Sequence, residues 1–532
     1  MNATGITGPL SGLESPNETT PSFNLWSEPW IGVLRPDGER EEVGIAECLT
    51  RAREFAALSD RSPLVVVGTQ RLLTAVAQAI FEPQELADLA DLLDAGRFSA
   101  ARVDNFGVQW AERFDLFSQE RPFLQSGDTP MTPPKGEKSK TVAYLLPELP
   151  SGTAIVHFKH TCDDEQRLCP ACAAVGLVTL PAFATSGGAG IKPSINGVPP
   201  LYILPAGGSL FEALTLSLIV PAYQPPARSV ADLPIWAGQG HVTRGKEVDT
   251  VGYLQSLTFP ARRVRLYPQR LSGHCSRCGR DSSVVVPRML FEMGHSRPKD
   301  APFWLDPFAA YHKRAEKAPV PIRPREGRAL WREYASLFFT AAVPEAGTIR
   351  PTVLEQLATL RDYTTLPPSR SLAFRCIGIR TDMKAKVFEW VDSVLDVPLG
   401  LLSNPRGEAI VRVALDHAEE CASDLRQIFA QAFRPDSGGK RDRYQTVRSR
   451  METTYWTNLA TTFRDFVLAV ADPAQADEAE QLWVNRVLGI GWEAFEEAVD
   501  AVGGRGEELR RRTQALHNLT LRLGKRRKEW LQ

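Results

Sequence analysis

The sequence has no Gly-x-x-x-x-Gly-Lys-Ser/Thr loop, no His-Glu-x-x-His pair and no Gly-x-Ser-x-Gly elbow. Those absences remove the nucleotide phosphate cradle, the zinc-protease helix and the strained serine turn from consideration. Histidine is scarce, eight in 532 residues, and dispersed. A lone residue such as His417 therefore reads as part of a helix face rather than as a ligand. No uninterrupted apolar stretch approaches the ~18 residues that a membrane helix needs. The longest, near Leu210–Ala222 and Phe463–Ala471, fall short. The N-terminus lacks a charged region followed by an apolar core, so no secretory signal is read. A cytoplasmic protein with no membrane partner is expected. Net charge is also nearly absent, −1 overall, which by itself argues against a large basic nucleic-acid binder.

What is present is an ordinary globular composition, 43% hydrophobic, at a length that suggests about two to four domains. The near-zero charge hides an asymmetry. Residues 1–150 carry 13 Lys+Arg against 22 Asp+Glu, and the remainder carries 49 against 41. Basic clusters stand at Arg262-Arg263-Val264-Arg265, Lys440–Arg450, Arg510–Arg512 and Lys525–Lys528. Each taken alone reads as a solvated helix face.

Residues 1–21 are rich in Thr, Ser, Gly, Pro and Asn and read as a disordered tail. Order is expected from Phe23. The run Trp30–Leu34, then Pro36-Asp37-Gly38, then Val43–Ile45 reads as a hairpin. Apolar spacings of three and four then predict helices over Ile45–Leu58 and Leu64–Ile80. Residues 120–310 hold most of the prolines, Gly-rich turns and short β-like runs at Leu201–Leu204 and Val284–Val286, a loop-heavy α+β region. From about Glu408 four amphipathic segments follow, 408–433, 442–471, 475–501 and 506–530, broken at Pro435, Pro473 and Gly503-Gly504. Four such helices with short connections predict an antiparallel four-helix bundle. The expected fold class is α+β: a large mixed α/β N-terminal domain over 22–403 with long loops and a zinc site, then a four-helix bundle over 404–532.

Eight cysteines in so long a chain do not form a disulfide framework. Four fall in two pairs, Cys169-Pro-Ala-Cys172 and Cys275-Ser-Arg-Cys278-Gly279. Two-residue spacing places two thiolates on one side of a tight turn, and Gly279 permits a positive φ there. The pairs are separated by 102 residues, more than a zinc ribbon allows. Closing the longer loop costs only about 1.5 kcal/mol extra, against roughly 10–16 kcal/mol from structural zinc in small peptides. A shared structural Zn2+ site is the leading reading. A redox Cys-Pro-x-Cys and unrelated buried thiols remain open beside it. His160, Cys162 and His274 are substitutes ranked below the four cysteines. Cys48 and Cys421 lie on apolar helical stripes and read as core.

The stretch Ser186-Gly187-Gly188-Ala189-Gly190-Ile191-Lys192 lacks dinucleotide-loop spacing. Small residues let a backbone approach a ligand closely, and Lys192 suits a phosphate. A flexible loop is the plain alternative. Asp163-Asp164-Glu165 reads as a solvated turn before a cation site.

Phe23-Asn-Leu-Trp-Ser-Glu-Pro-Trp-Ile-Gly-Val-Leu34, with Ser62-Pro-Leu and Arg71-Leu-Leu downstream, resembles the N-terminus of the large, CasA-like subunit of the type I-E CRISPR Cascade complex. Phe114-Asp-Leu-Phe117 followed by Arg121-Pro-Phe-Leu-Gln125 is similar to a second hallmark of that family. Pro147–Gly152, the cysteine pairs, the Gly-rich loop and a helical C-terminus follow in the family's order over about 22–532. The resemblance implies a non-enzymatic subunit that reads the protospacer-adjacent motif (PAM) of double-stranded target DNA from the minor groove and helps open the duplex. It also implies partners: other Cascade protein subunits, the 5′ end of the CRISPR guide RNA, and a separate helicase–nuclease. Sequence beyond the PAM is read by guide pairing.

Site residues follow from the same resemblance. Phe158 takes the place of the family's Phe eleven residues before the first zinc-region cysteine, Cys169. The PAM-reading loop matches Ser186, Gly187, Gly188, Ala189 and Gly190, with Lys192 after it. For a minor-groove lysine the ungapped position holds Met293, and Arg297 and Lys299 are the basic candidates. The duplex-wedging hairpin matches Arg380–Lys386, with Asp382 keeping the turn, Met383 at the tip where the family usually has Gln, and Lys384 or Lys386 meeting phosphate. Two other classes of function stand beside this one: a zinc-stabilised interaction scaffold that does not touch DNA, and a cryptic nuclease using acidic residues.

Overall fold

The computed structural model describes residues 21–134, 139–146, 166–185, 190–225, 232–298, 300–301, 304–314, 317–340, 347–364, 367, 370–381, 387–434, 444–503 and 506–532. The first elements follow the hydropathy pattern. Strand Ile31–Leu34 pairs antiparallel with Arg40–Val43. The Pro36-Asp37-Gly38 turn between them is closed by Arg35 N–H to Glu39 O at 2.8 Å. The other edge of Ile31–Leu34 is taken by Ala57–Leu58. The helix expected over Ile45–Leu58 therefore ends early, at Thr50. The last two residues of that range satisfy their backbone in a sheet, a long-range pairing that a local period cannot report.

Helix Pro63–Phe81 is the centre of the N-terminal core, with every residue but Ala79 buried. Thr69-Gln70-Arg71, Thr74 and Gln78 interrupt its apolar run, as expected, although the helix as a whole reaches membrane-spanning length. By length and hydropathy it is long and apolar enough, yet 94% of its apolar window is buried inside the protein. Its polar residues face partners: Gln70 donates to Pro205 O at 2.8 Å and Gln78 to Ile219 O at 3.1 Å. Arg71 pairs with Asp306 at 3.0 Å, both side chains being 2% exposed or less.

Two further sheets position the candidate site. In one, Val285–Met293 lies between Ser139–Thr141 and Arg262–Gln269, all antiparallel, with Arg262 opposite Met293. In the other, Ser371–Thr381 pairs with Val387–Pro398 as a long hairpin and with Tyr202–Pro205 on its other side. The cluster Arg262–Arg265 is thus on a strand, not on a helix face, and Arg262 and Arg265 are buried. A strand covered on both faces hides alternate and adjacent residues alike.

The C-terminal region is helical: Pro405–Ala432, Gln445–Val470, Ala476–Val502 and Glu507–Trp530. Asn404 caps the first of these, its side chain accepting from Gly407 N–H at 3.0 Å. The stripe Val411, Leu415, Ala418, Ala422, Leu425 and Phe429 is buried, as is Met451–Val470 at the same periodicity. Trp331 joins this region to the rest, with ring centroids 5.7 Å from Trp456 and 4.9 Å from Phe463. Arg332 adds a forked pair to Glu419 at 2.8 and 3.0 Å. His417 is buried and stacked on Trp530 at 4.2 Å rather than lying on an open helix face. Cys48 and Cys421 are core residues as expected.

Candidate metal centre and nucleic-acid interface

The two cysteine pairs, remote in sequence, are zipped together by backbone. Leu168 and Val286 exchange hydrogen bonds of 3.0 and 2.8 Å. Ser276 N–H donates to Arg167 O at 2.7 Å, and the Ser276 hydroxyl accepts from Arg167 N–H at 2.9 Å. Cys169 precedes helix Pro170–Phe183 and Cys172 sits in its first turn, where the helix dipole favours thiolate charge. The second pair forms a turn closed by Cys275 N–H to Arg280 O at 2.9 Å and Gly279 N–H to Cys275 O at 2.8 Å. Gly279 has φ +77° with open space about it, so backbone conformation rather than crowding calls for glycine.

The four sulfurs all lie within 4.8 Å of one another, and Cys169 and Cys278 are 3.9 Å apart. A tetrahedral ion with Zn–S near 2.3 Å needs sulfurs about 3.8 Å apart, so these residues could hold a metal ion. Hydrogen bonds from Cys169 and Cys172 hold Cys275 well below the usual thiol range. Cys169 and Cys275, together with burial, push Cys172 far above it. The opposite directions show that the thiols share hydrogen bonds with one another, a crowding of sulfur that a bound cation would relieve. Arg277 reaches Asp60 at 2.5 Å and Arg280 reaches Glu42 at 2.6 Å, which ties the turn to the first sheet. His274 is exposed and paired with Asp281 at 2.6 Å, outside the cluster. His160 and Cys162 lie outside the described residues.

Residues 186–189 of the Gly-rich stretch also lie outside the described residues, but its stems do not. Arg262, 4% exposed, spans them. Its guanidinium donates to Lys192 O at 2.9 Å, to Ala261 O at 2.8 Å and to Thr185 O. Burial lowers its pKa to about 10, still charged at neutral pH. Ser194 adds a second closure, from its N–H to Ala184 O at 2.8 Å and from its hydroxyl to Pro181 O at 2.6 Å. Gly190 has φ +79°, and the space that a side chain would enter there is open.

Lys192 is not free, as it pairs with Glu247. That carboxylate belongs to a segment without any recognisable sequence signature. Glu247 bridges Ser296, and Val248 N–H donates to Ser296 O at 2.9 Å. Arg297 donates to Asp249 O at 3.5 Å. Segment 244–249 thus brings Lys192 and Arg297 to one neighbourhood. No motif flags such a segment, because the pairing that gives it meaning is about 50 residues away on each side. Met293 is half-buried on its strand opposite Arg262. Lys299 and Phe158 lie outside the described residues. For the hairpin, the ladder runs from Ser371 opposite Pro398 to Thr381 opposite Val387. Asp382, Met383 and Lys384, between its stems, lie outside the described residues.

His295 is next to this segment. Neither ring nitrogen has a hydrogen-bond partner, and burial, then the charge of Lys246, lowers its pKa to about 4. The unfolded value is near 6.5, so the folded protein resists protonation here. This stabilising contribution is complete above pH 6.5 and declines as pH falls towards 4. Thermal melts from pH 7 to 4 should show a steeper loss of stability for the wild type than for His295→Gln; parallel curves would refute this.

The model of the family described as CRISPR-associated protein Cse1 matches residues 24–494. The CRISPR-associated protein CasA/Cse1 of Thermus thermophilus is 31% identical over 499 residues, covering 89% of this chain and 91% of the relative. The crystal structure of Cse1 from Acidimicrobium ferrooxidans superposes with TM-score 0.80 at 23% identity, covering 97% of this chain and all of that one. A chain of a CRISPR RNA-guided surveillance complex shares the fold at TM-score 0.69 and 21% identity, covering 94% of this chain and all of its own.

Proposed function

Because the chain belongs to the CRISPR-associated Cse1 family, we propose that it is the large, non-catalytic subunit of an RNA-guided surveillance complex and reads the PAM of double-stranded DNA. In this reading loop 186–192 enters the minor groove. The observation that carries it is the staple across the loop's stems: a buried guanidinium fixes Thr185 and Lys192. A loop of small residues with a fixed aperture can approach base edges closely without losing much chain entropy on binding. Minor-groove edges distinguish A·T from G·C but little else, so several related PAM sequences should be accepted.

The remaining parts follow from the same reading. Cys169, Cys172, Cys275 and Cys278 would hold a structural zinc with no open coordination position, which scaffolds the loop region rather than doing chemistry. The hairpin with Asp382, Met383 and Lys384 between its stems would wedge the duplex. Methionine can fill the gap left by an unstacked base pair, as apolar wedges do. Residues 22–403 form the DNA-reading domain. Residues 404–532 form a four-helix bundle docking on other Cascade subunits near the 5′ end of the guide RNA and the displaced strand. Within that region Arg526 is spent on Asp424 and Glu420, and Lys525 on Glu529. Of the Lys525–Lys528 cluster, Arg527 and Lys528 are exposed and have no ion pair among the described residues, so they are free to meet partners. A helicase–nuclease then acts on the opened DNA.

The test is Gly190→Val in the reconstituted complex, where positive φ makes any β-branched residue strained. Affinity for a PAM-bearing duplex should fall roughly 5- to 150-fold, the cost of about one misread base pair, with subunit stoichiometry kept. If Gly190→Val binds that duplex as the wild type does, the loop does not read DNA. The zinc-stabilised scaffold would then be the better account.

A further inference from the structure

We propose that the turn 244–247 is a second phosphate-binding element, which grips the DNA backbone beside the Gly-rich loop through Arg244 and Lys246. The proposal rests on the reading that this loop faces a duplex, and it adds contacts that the sequence motifs do not include.

The backbone of the turn is fixed. Lys246 N–H closes on Thr243 O at 3.4 Å, Gly245 N–H donates to Gly294 O at 3.1 Å, and Ser296 N–H donates to Lys246 O at 3.0 Å. Arg244 and Lys246 are exposed on it. Their neighbours' charges are largely consumed within the chain. Lys192 is held by Glu247, Arg263 by Asp128 at 3.2 Å and Glu292 at 2.9 Å, and Arg262 by three carbonyls. Among the described residues, no carboxylate lies within ion-pair distance of Arg244 or Lys246.

Two exposed cations two residues apart on a pinned backbone repel each other and gain from a polyanion. Their only close acidic neighbour in the turn, Glu247, is engaged by Lys192. Electroneutral pairing elsewhere explains how a chain of net charge −1 can still present a local cationic seat. The chemistry suits a phosphodiester better than a base edge. Lys246 is a point charge without directional preference, and exposed arginine on a turn meets a phosphate fork without entering a groove. The turn is tied to the Gly-rich loop through the Lys192–Glu247 pair, so a duplex seated on the loop would pass its backbone within reach.

Counterion release gives the measurement. Each phosphate contact contributes about 0.9 to the slope of log affinity against log salt. Between 50 and 200 mM salt the wild-type complex should therefore lose about 12-fold more affinity than a complex carrying Arg244→Ala and Lys246→Ala. PAM-bearing and PAM-less duplexes should weaken by the same factor at low salt. The charge-preserving variant Arg244→Lys with Lys246→Arg should keep the wild-type slope. An unchanged slope in the alanine variant overturns the proposal. So does a slope lost in the charge-preserving variant as well, which would report a structural role. Loss of a subunit before DNA is added would overturn it too, showing that the turn meets protein instead. Failure of the loop reading is separable: it appears as equal affinity of the wild type for the two duplexes, whatever the slope.

Discussion

Cys275→Ser is expected to reduce bound zinc from one ion per chain to close to none and to unfold the region that joins the two cysteine turns. Cys275 is 1% exposed and its backbone closes the second turn. Removing its sulfur would leave three ligands for a bound ion and forfeit a large part of the roughly 10–16 kcal/mol that structural zinc supplies in small peptides. That sum is comparable with the whole stability of an ordinary domain, about 5–15 kcal/mol. The Leu168–Val286 pairing and the Arg277–Asp60 and Arg280–Glu42 bridges depend on the same turn. Proteolysis between Arg167 and Arg280 should accelerate in the variant and in the wild type treated with a chelator. Cys48→Ser, at a buried thiol away from the cluster, should keep its zinc. Substoichiometric zinc in the wild type, unchanged by Cys275→Ser, would refute the metal centre.

Arg71→Met should lower the free energy of unfolding by about 3–5 kcal/mol, the usual cost of stranding one partner of a buried pair. Asp306 is the partner left behind, with 0% side-chain exposure. It would retain Asn196 at 3.0 Å and Phe308 N–H at 3.0 Å, too few donors to replace a guanidinium. Arg71 also lies 4.9 Å from the Tyr202 ring, and Asp306 N–H donates to Tyr311 at 2.8 Å, so the pair joins the central helix to strand Tyr202–Pro205 and to strand Tyr311–Arg314. Replacing both charges, Arg71→Met with Asp306→Leu, should recover part of the loss, because no buried charge is then stranded. Urea midpoints at constant slope measure both. A loss below about 1 kcal/mol for Arg71→Met would mean that the pair sits in a more hydrated setting than its burial indicates.

Local patterns in this chain are readable wherever the partner of a residue lies close in sequence. The Pro36-Asp37-Gly38 turn, the helical spacing of the stripes at Val411–Phe429 and Met451–Val470, and the positive φ of Gly279 are all set within one or two turns of chain. The convergence of Cys169, Cys172, Cys275 and Cys278 is legible through chemistry, since four thiols at paired spacing have few other uses. Where meaning depends on distant pairing, the pattern misleads. Ala57–Leu58 is a strand because Ile31–Leu34 needs an edge. Arg262 reads as surface charge, yet its carbonyl partners at Thr185 and Lys192 sit about 70 residues earlier. Lys192 reads as available for a ligand, and Glu247 already holds it. A hydropathy window reports how apolar helix Pro63–Phe81 is, but only packing says what surrounds it.

The most direct measurement of the central claim is a selection. The reconstituted wild-type complex, with its guide RNA, is offered duplexes that match the guide but are randomised at the flanking bases, and the bound fraction is sequenced. Minor-groove reading by the Gly-rich loop predicts enrichment of a small set of related flanks. Each disfavoured base pair should lower affinity roughly 5- to 150-fold, and the set should flatten when Gly190→Val replaces the wild-type chain. Equal recovery of every flank by the wild-type complex would contradict the account.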